Sequence, residues 1–234
     1  MMARARPVSS ASMSAAAARS ARRVIAATTR LATVPYVPEI RLQQADDPFT
    51  VWEQLEKEGG QVGLPPPFWA FPWAGGQALA RHLLDHPALV TGMRVLDVAS
   101  GSGLVAIAAA RAGARSVLAA DVDEMAVRAI SVNAAANGVR VTPVLADLLD
   151  GGAGDAGVVL CADAFYEQDL AERALAFLHR AQDGGARVLV GDPGRAFLRT
   201  AGLRRVASFE IPVTVALEGM TVKRATVYEL TACS

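Results

Sequence analysis

From Met93 onward the chain alternates two kinds of apolar pattern. Short runs that are apolar almost throughout (MRVLDV, SVLAADV, VRVTPVLA, AGVVLCADA and ARVLVGD) are separated by stretches such as GLVAIAAARAG, DEMAVRAISVNAAANG and YEQDLAERALAFLHRAQ. The second kind repeats its apolar residues at three- and four-residue spacing, as one face of a helix does. A run apolar on both faces is a strand covered on both faces, so the alternation predicts βαβ units and a parallel sheet with helices on either side. Gly113 and the Asn137-Gly138 pair supply helix stops. Near the C-terminus, LRRVASFEIPVTV and MTVKRATVYELTA read as two strands joined through ALEGM, without room for a helix. An antiparallel pair therefore finishes the sheet. The prediction is a doubly wound α/β fold of seven strands, mostly parallel with a C-terminal antiparallel strand. No internal repeat is visible.

Upstream the pattern is less regular. TVPYVPEIRLQQ is a proline-punctuated extended piece, followed by a short helix capped by Asp46 or Asp47, with Pro48 in its first turn and Gly59-Gly60 at its end. LPPPFWAFPW holds four prolines, which remove donors and fix φ, so it is an aromatic loop. From Gly75 a helical face of Leu79, Leu83 and Leu84 runs to about Pro87. Three segments follow: 1–30, a disordered basic extension or targeting segment; 31–92, a helical lead-in with an aromatic cofactor lid; and 93–234, the ligand-binding core.

Composition changes this picture mainly at the N-terminus. An apolar fraction of 52% with 20% charged residues over 234 positions suits one compact domain. Lys+Arg and Asp+Glu both number 23, which gives no electrostatic footprint for nucleic acid or an anionic membrane, and no apolar run reaches the length that spans a bilayer. Cys161 and Cys233 offer neither a disulfide framework nor metal-ligand spacing, in keeping with a reducing compartment. The first thirty residues are rich in Ala, Ser and Arg, and the first acid of the chain is Glu39. That composition resembles a mitochondrial transit peptide, but the preferred reading is a disordered basic tail or residues ahead of the true start. The expected location is the cytoplasm, or the mitochondrial matrix if the segment is a transit peptide.

The chemistry concentrates after the strands. The string GSGLVA from Gly101 fits a loose G-x-G-x-x-[GA] pattern, which by itself admits a dinucleotide. Asp97, at the carboxyl end of the preceding strand, argues against one: a buried carboxylate repels a pyrophosphate and attracts the ammonium of a methionine moiety. The residues lean towards S-adenosylmethionine. Asp121 ends the next strand, where a carboxylate can accept both ribose hydroxyls, as it can in nicotinamide sites too; Asp147 follows the third, placed to accept from an adenine amino group. Each acid also reads as an ordinary helix cap. His82 and His86 have metal-compatible spacing but no third ligand nearby, and no metal is expected.

Four passages then resemble the seven-strand, Rossmann-like class I methyltransferases, and more narrowly the lysine methyltransferases acting on the electron-transfer flavoprotein beta subunit, with their bacterial relatives. They are PFWAFPWAGGQALARHLLDHP, VLDVASGSGLVAIAAA, CADAFYEQDLA and VLVGDPGR. VPEIRL from Val37 looks like the family's lead-in. The resemblance implies S-adenosylmethionine held by Trp73, Gly75, Asp97, Ala99, Ser100, Gly101, Gly103, Asp121, Val122 and Asp147. Position 99 departs from the class, which usually has Gly there. By the same resemblance Asp163 is the prime catalytic candidate, holding the incoming amine, with Tyr166 bounding a lysine channel. Glu167 holds the approaching cation or simply starts the next helix, and Phe165 reads as core. GDPGR is either a helix start, with Asp192 as cap and Pro193 at the first position, or a border of the substrate groove where Arg195 meets acidic groups. The implied substrate is a protein lysine, by the same resemblance one of the flavoprotein beta subunit, and the chain is expected to be a monomer. Rival readings are a small-molecule N-methyltransferase acting on a nicotinamide-like amine or heterocycle, an NAD-dependent oxidoreductase, and a non-catalytic binding protein.

Overall fold

The computed structural model describes residues 23–59 and 66–231. The strands β3 (Arg94–Val98), β4 (Ser116–Asp121), β5 (Thr142–Leu145), β6 (Val158–Ala162), β7 (Arg187–Asp192), β8 (Leu203–Pro212) and β9 (Val222–Leu230) form one seven-stranded sheet in the order β5-β4-β3-β6-β7-β9-β8. β9 runs antiparallel to both neighbours, β7 and β8, and the pairs from β5 to β7 are all parallel. The chain winds outward from β3 through β4 to β5, then returns to place β6 on the other side of β3. Such a reversal opens a crevice beyond the carboxyl ends of β3 and β6, where ligands bind in this architecture.

Successive strand residues face opposite sides, and the apolar runs fill both. Val95, Val158 and Leu160 pack with α2 (Ala74–Asp85), α3 (Leu104–Arg111) and α4 (Glu124–Ala136) through Leu79, Leu83, Ile107 and Ile130. Leu96, Val159 and Cys161 face the other way, onto Phe177 and Leu178 of α5 (Gln168–Asp183). Phe165 is fully buried in that second cluster, as core.

Three features upstream and downstream differ from the sequence reading. The extended piece is a hairpin, β1 (Arg30–Val34) with β2 (Val37–Gln44), closed by a two-residue turn at Pro35-Tyr36, where proline's fixed φ suits a reversal. Residues 23–28 are helical, inside the segment assigned to the 1–30 extension, and Ile25 is buried against Val51, Trp69 and Phe71. An apolar side chain with a complementary surface within reach belongs to the folded body whatever the composition around it. Residues 1–22 and Cys233 lie outside the described residues. Finally, the β8–β9 connection does hold a helix: α6 (Val215–Glu218) is a single turn, which needs no more than four residues. α1 (Pro48–Gly59) is capped by Asp47, whose carboxylate accepts from the Thr50 N–H at 2.8 Å, while Asp46 pairs with Arg30. Among the described residues no helix is long and apolar enough to cross a membrane.

Candidate active site

A cleft of about 470 Å³ opens at the carboxyl ends of β3, β4 and β6. Its size suits a ligand of nucleoside dimensions. Of the residues singled out from sequence, Trp73, Ala99, Gly101, Asp121, Val122, Asp147, Asp163 and Tyr166 line it.

One end is built by the turn after β3. Gly101 and Gly103 adopt positive φ, and so does Ala99 at 51°. A side chain in that region is strained by roughly 1–2 kcal/mol, a reason for glycine to be the common choice at such a turn. Asp121 braces the turn from the neighbouring strand: its Oδ2 accepts from Gly101 N–H at 2.8 Å and its Oδ1 from Asp123 N–H at 2.9 Å. Each oxygen keeps a second lone pair, the acceptor set for the two hydroxyls of a vicinal diol. Val122, 68% exposed, stands beside it with Leu148 and Leu149, an apolar wall for a flat base.

Asp97, Ser100, Gly103 and Gly75 are absent from the cleft wall and support it from behind. Asp97 is 1% exposed and accepts from the Ser100 hydroxyl and from Ala106 N–H at 3.1 Å. It ties the turn to the first turn of α3. Burial pushes its carboxyl up to about 7. Gly103 is the left-handed cap of α3 and lies against Ile130, where a Cβ would sit at 3.2 Å. Gly75 is pressed against the Gly191 carbonyl, and a Cβ there would also approach Asp163 Oδ2 to 2.7 Å. Only glycine lets α2 come so close to β7.

Asp147 lines the cleft, but its carboxylate is already engaged: Oδ2 pairs with Arg173 at 2.8 Å and Oδ1 accepts from Leu149 N–H at 3.1 Å. The position after β5 that singled it out also closes a local Asp turn.

The other end is a cluster of charge. Asp163 follows β6 at a φ of 55°, a region Asp tolerates better than most residues. Its Oδ2 accepts from Gly76 N–H, in the first turn of α2, at 2.7 Å, and its Oδ1 from the Arg195 guanidinium at 3.1 Å. An acid that lacked a partner in the sequence thus caps a helix and closes an ion pair. Burial raises its carboxyl to about 6 even though Arg195 opposes the shift. Tyr166 is exposed at the rim and its ring lies 5.2 Å from that of Phe68. Glu167 is exposed at the N-cap of α5 and stands outside the cleft, where an acid favours the helix dipole. No helix follows GDPGR. Asp192 Oδ1 instead accepts from Gly194 and Arg195 N–H groups, both at 2.7 Å, in a turn that carries Arg195 back to Asp163.

Sequence reading missed Glu218, which sits 4% exposed in α6 and pairs with Arg195 at 3.0 Å and with Lys223. The only signal was an acid in an otherwise apolar connector. Arg173, Phe68, Leu148 and Leu149 were also not named as lining residues: Phe68 lies inside the aromatic lid and the two leucines directly follow Asp147, while Arg173 sits in mid-helix.

Four carboxylates (Asp121, Asp123, Asp147 and Asp163) and two guanidiniums (Arg173 and Arg195) line the cleft, and both arginines are tied to acids. The balance is negative. It disfavours a pyrophosphate and suits a cationic ligand or a lysine ammonium. Among the described residues no cluster of His, Cys, Asp and Glu has metal-binding geometry.

The fold is the Rossmann-like architecture of the class I methyltransferases. Magnesium protoporphyrin IX methyltransferase from Synechocystis PCC 6803, solved with bound S-adenosylmethionine, superposes with a TM-score of 0.51 at 18% identity, covering 80% of this chain and 98% of that one. The family model for ribosomal protein L11 methyltransferase (PrmA) matches residues 79–163, from α2 to Asp163. Among curated proteins, the electron transfer flavoprotein beta subunit lysine methyltransferase of Mus musculus is 46% identical over 131 residues, 55% of this chain and 51% of its own length. The Xenopus laevis protein of the same name is 40% identical over 170 residues, 72% of this chain and 68% of its own length. The chain belongs to the family of electron transfer flavoprotein beta subunit lysine methyltransferases. It spans about half the length of the mouse relative.

Proposed function

We propose that the chain transfers methyl groups from S-adenosylmethionine to lysine side chains of a protein, and that this protein is the electron transfer flavoprotein beta subunit. The observation that carries the reading is the acid-lined cleft itself, with Asp121 at one end and Asp163 at the other. Family membership supports the choice of a protein lysine over a small amine or heterocycle.

The residues present fit the cofactor. Asp121 would accept the ribose hydroxyls, Val122, Leu148 and Leu149 would flank the adenine, and the turn at Ala99–Gly101 with Trp73 would enclose the methionine portion. Bound there, S-adenosylmethionine supplies an electrophilic methyl group on a cationic sulfur. The chain's own task is to bring a lysine nitrogen into line, and positioning of this kind can lower a barrier by roughly 7–11 kcal/mol. Asp163 is ionised for the most part at neutral pH and holds the lysine ammonium at the mouth. Phe68 and Tyr166 form an aromatic wall beside it that attracts the cation and excludes water. The ammonium must still lose a proton, which at pH 7 costs about 4.6 kcal/mol for an unperturbed lysine.

The test is incubation with methyl-labelled S-adenosylmethionine and a cognate cell lysate, followed by separation of protein and small molecules. Label in a protein band of the flavoprotein beta subunit's size is the expected result. Label confined to small molecules would replace the protein-lysine reading with the small-molecule one.

A further inference from the structure

The cation already resting on Asp163 is Arg195, and a lysine arriving at the same carboxylate meets it. The guanidinium is fixed on several sides. Nη2 bonds Asp163 Oδ1 at 3.1 Å and Glu218 Oε1 at 3.0 Å, Nη1 reaches Glu218 Oε2 at 3.3 Å, and the group lies 5.5 Å from the ring centre of Trp73. The backbone N–H of Arg195 is held by Asp192. A guanidinium so anchored, 18% exposed at its side chain, cannot swing away at small cost when a second cation enters.

We infer that Arg195 is a positioning residue that acidifies the target lysine: held against Asp163, it makes the ammonium shed its proton at a lower pH than it would beside Asp163 alone. This rests on the reading of the cleft as a lysine methyltransferase site. Like charges within a few ångströms disfavour the charged form, and a lysine next to another fixed cation is a known route to a neutral amine nucleophile. The groups around the spot leave that repulsion standing. Glu218 is shared with Lys223, so the pair of acids (Asp163, Glu218) is matched by a pair of bases (Arg195, Lys223). Asp192 lies behind Arg195 in the turn after β7, and burial raises its carboxyl. Tyr166, whose hydroxyl burial holds above its ordinary value, and the exposed Glu167 stand at the rim, while Asp121 and Asp123 stand at the cofactor end. Asp163 thus places the lysine, and Arg195 offsets the charge by which Asp163 alone would hold it protonated. The proton leaves to solvent. The freed lone pair makes the new N–C bond as the bond from methyl to sulfur breaks, its electron pair remaining on sulfur.

The experiment compares the pH profile of kcat, which reports ionisations in the bound complex, for wild type, Arg195→Gln and Arg195→Lys on purified electron transfer flavoprotein, with calorimetric titration of the flavoprotein in two buffers of different ionisation enthalpy. For Arg195→Gln the acid limb is expected to move up by about one pH unit. Activity then falls about tenfold at pH 7 and returns to within about twofold at high pH, and proton release on binding is smaller than for wild type. Arg195→Lys, which keeps the charge, retains the wild-type limb. A loss equal at every pH, or unchanged proton release, overturns the inference and leaves the reading of the site intact. A wild-type protein that methylates no flavoprotein overturns the reading and the inference with it.

Discussion

The two ends of the cleft are built by different physics. The cofactor end is made of backbone: a turn of positive-φ residues between β3 and α3, tied down by Asp97 and Asp121 through N–H groups and one hydroxyl. The substrate end is made of side chains: Asp163, Arg195, Glu218 and Lys223 form a chain of ion pairs contributed by four separate segments. A backbone turn needs contiguous residues and tolerates little variation. An ion-pair network is assembled by the fold and is open to tuning by charge. On the proposed reading, the first end serves binding of a constant cofactor, and the second sets what is methylated and at what pH.

Substitutions that strike one end and spare the other sharpen this contrast. The largest effect is expected at Asp163. Asp163→Asn keeps an acceptor for Gly76 N–H but removes the charge that places the lysine, and methylation of the flavoprotein should drop by about 10²-fold or more, read from initial rates. At the other end, Asp97→Asn should change stability rather than turnover, and in a pH-dependent way. The folded chain holds the Asp97 carboxyl at about 7, against an ordinary 3.8. Its stability is therefore full in acid below the ordinary value and is lost as pH rises through about 7. The Asn variant lacks this loss, so its advantage over wild type in urea unfolding should grow between pH 4 and pH 7, reaching up to roughly 4 kcal/mol. An advantage that shrinks with rising pH would contradict the burial argument.

Gly75→Ala strikes the seam between the ends. Its Cβ would press on the Gly191 carbonyl and on Asp163, so a loss of about 1–3 kcal/mol is expected in the same unfolding assay, with turnover falling alongside. Ala99→Gly has the smallest effect: relief of the left-handed conformation should add about 0.5–1 kcal/mol, and cofactor affinity should not fall. Destabilisation by that change would show that the Ala99 methyl makes contacts worth more than the strain.

The same contrast explains what could be read from the sequence. The strands β3 to β7 and the helices between them were legible because each apolar run is contiguous, and the β3 turn was legible because its glycines and Asp97 lie within a few positions of one another. Even there, Asp97 and Gly75 were assigned to the ligand when they brace the wall: sequence shows that an acid ends a strand, not which side of the turn it faces. The hairpin of β1 and β2 and the burial of Ile25 depend on long-range packing that no local periodicity records. At the substrate end Asp163 stood out as an acid in apolar surroundings, yet its partners Gly76 and Arg195 come from positions 87 and 32 residues away, and Glu218, which pairs with Arg195, from 55. Glu218 sat in a connector too short to have been read as a helix, and only the fold brings it to Arg195.

The measurement that tests the division most directly is calorimetric binding of S-adenosylmethionine to wild type and to Asp163→Asn. The account predicts that both bind, with dissociation constants within about threefold of each other, while only the wild type methylates the flavoprotein; a threefold change is about 0.65 kcal/mol, small beside an ion pair. Failure of the wild type to bind, or loss of binding in the variant by tenfold or more, would contradict it: the first would remove the cofactor from the cleft, and the second would make the two ends one site.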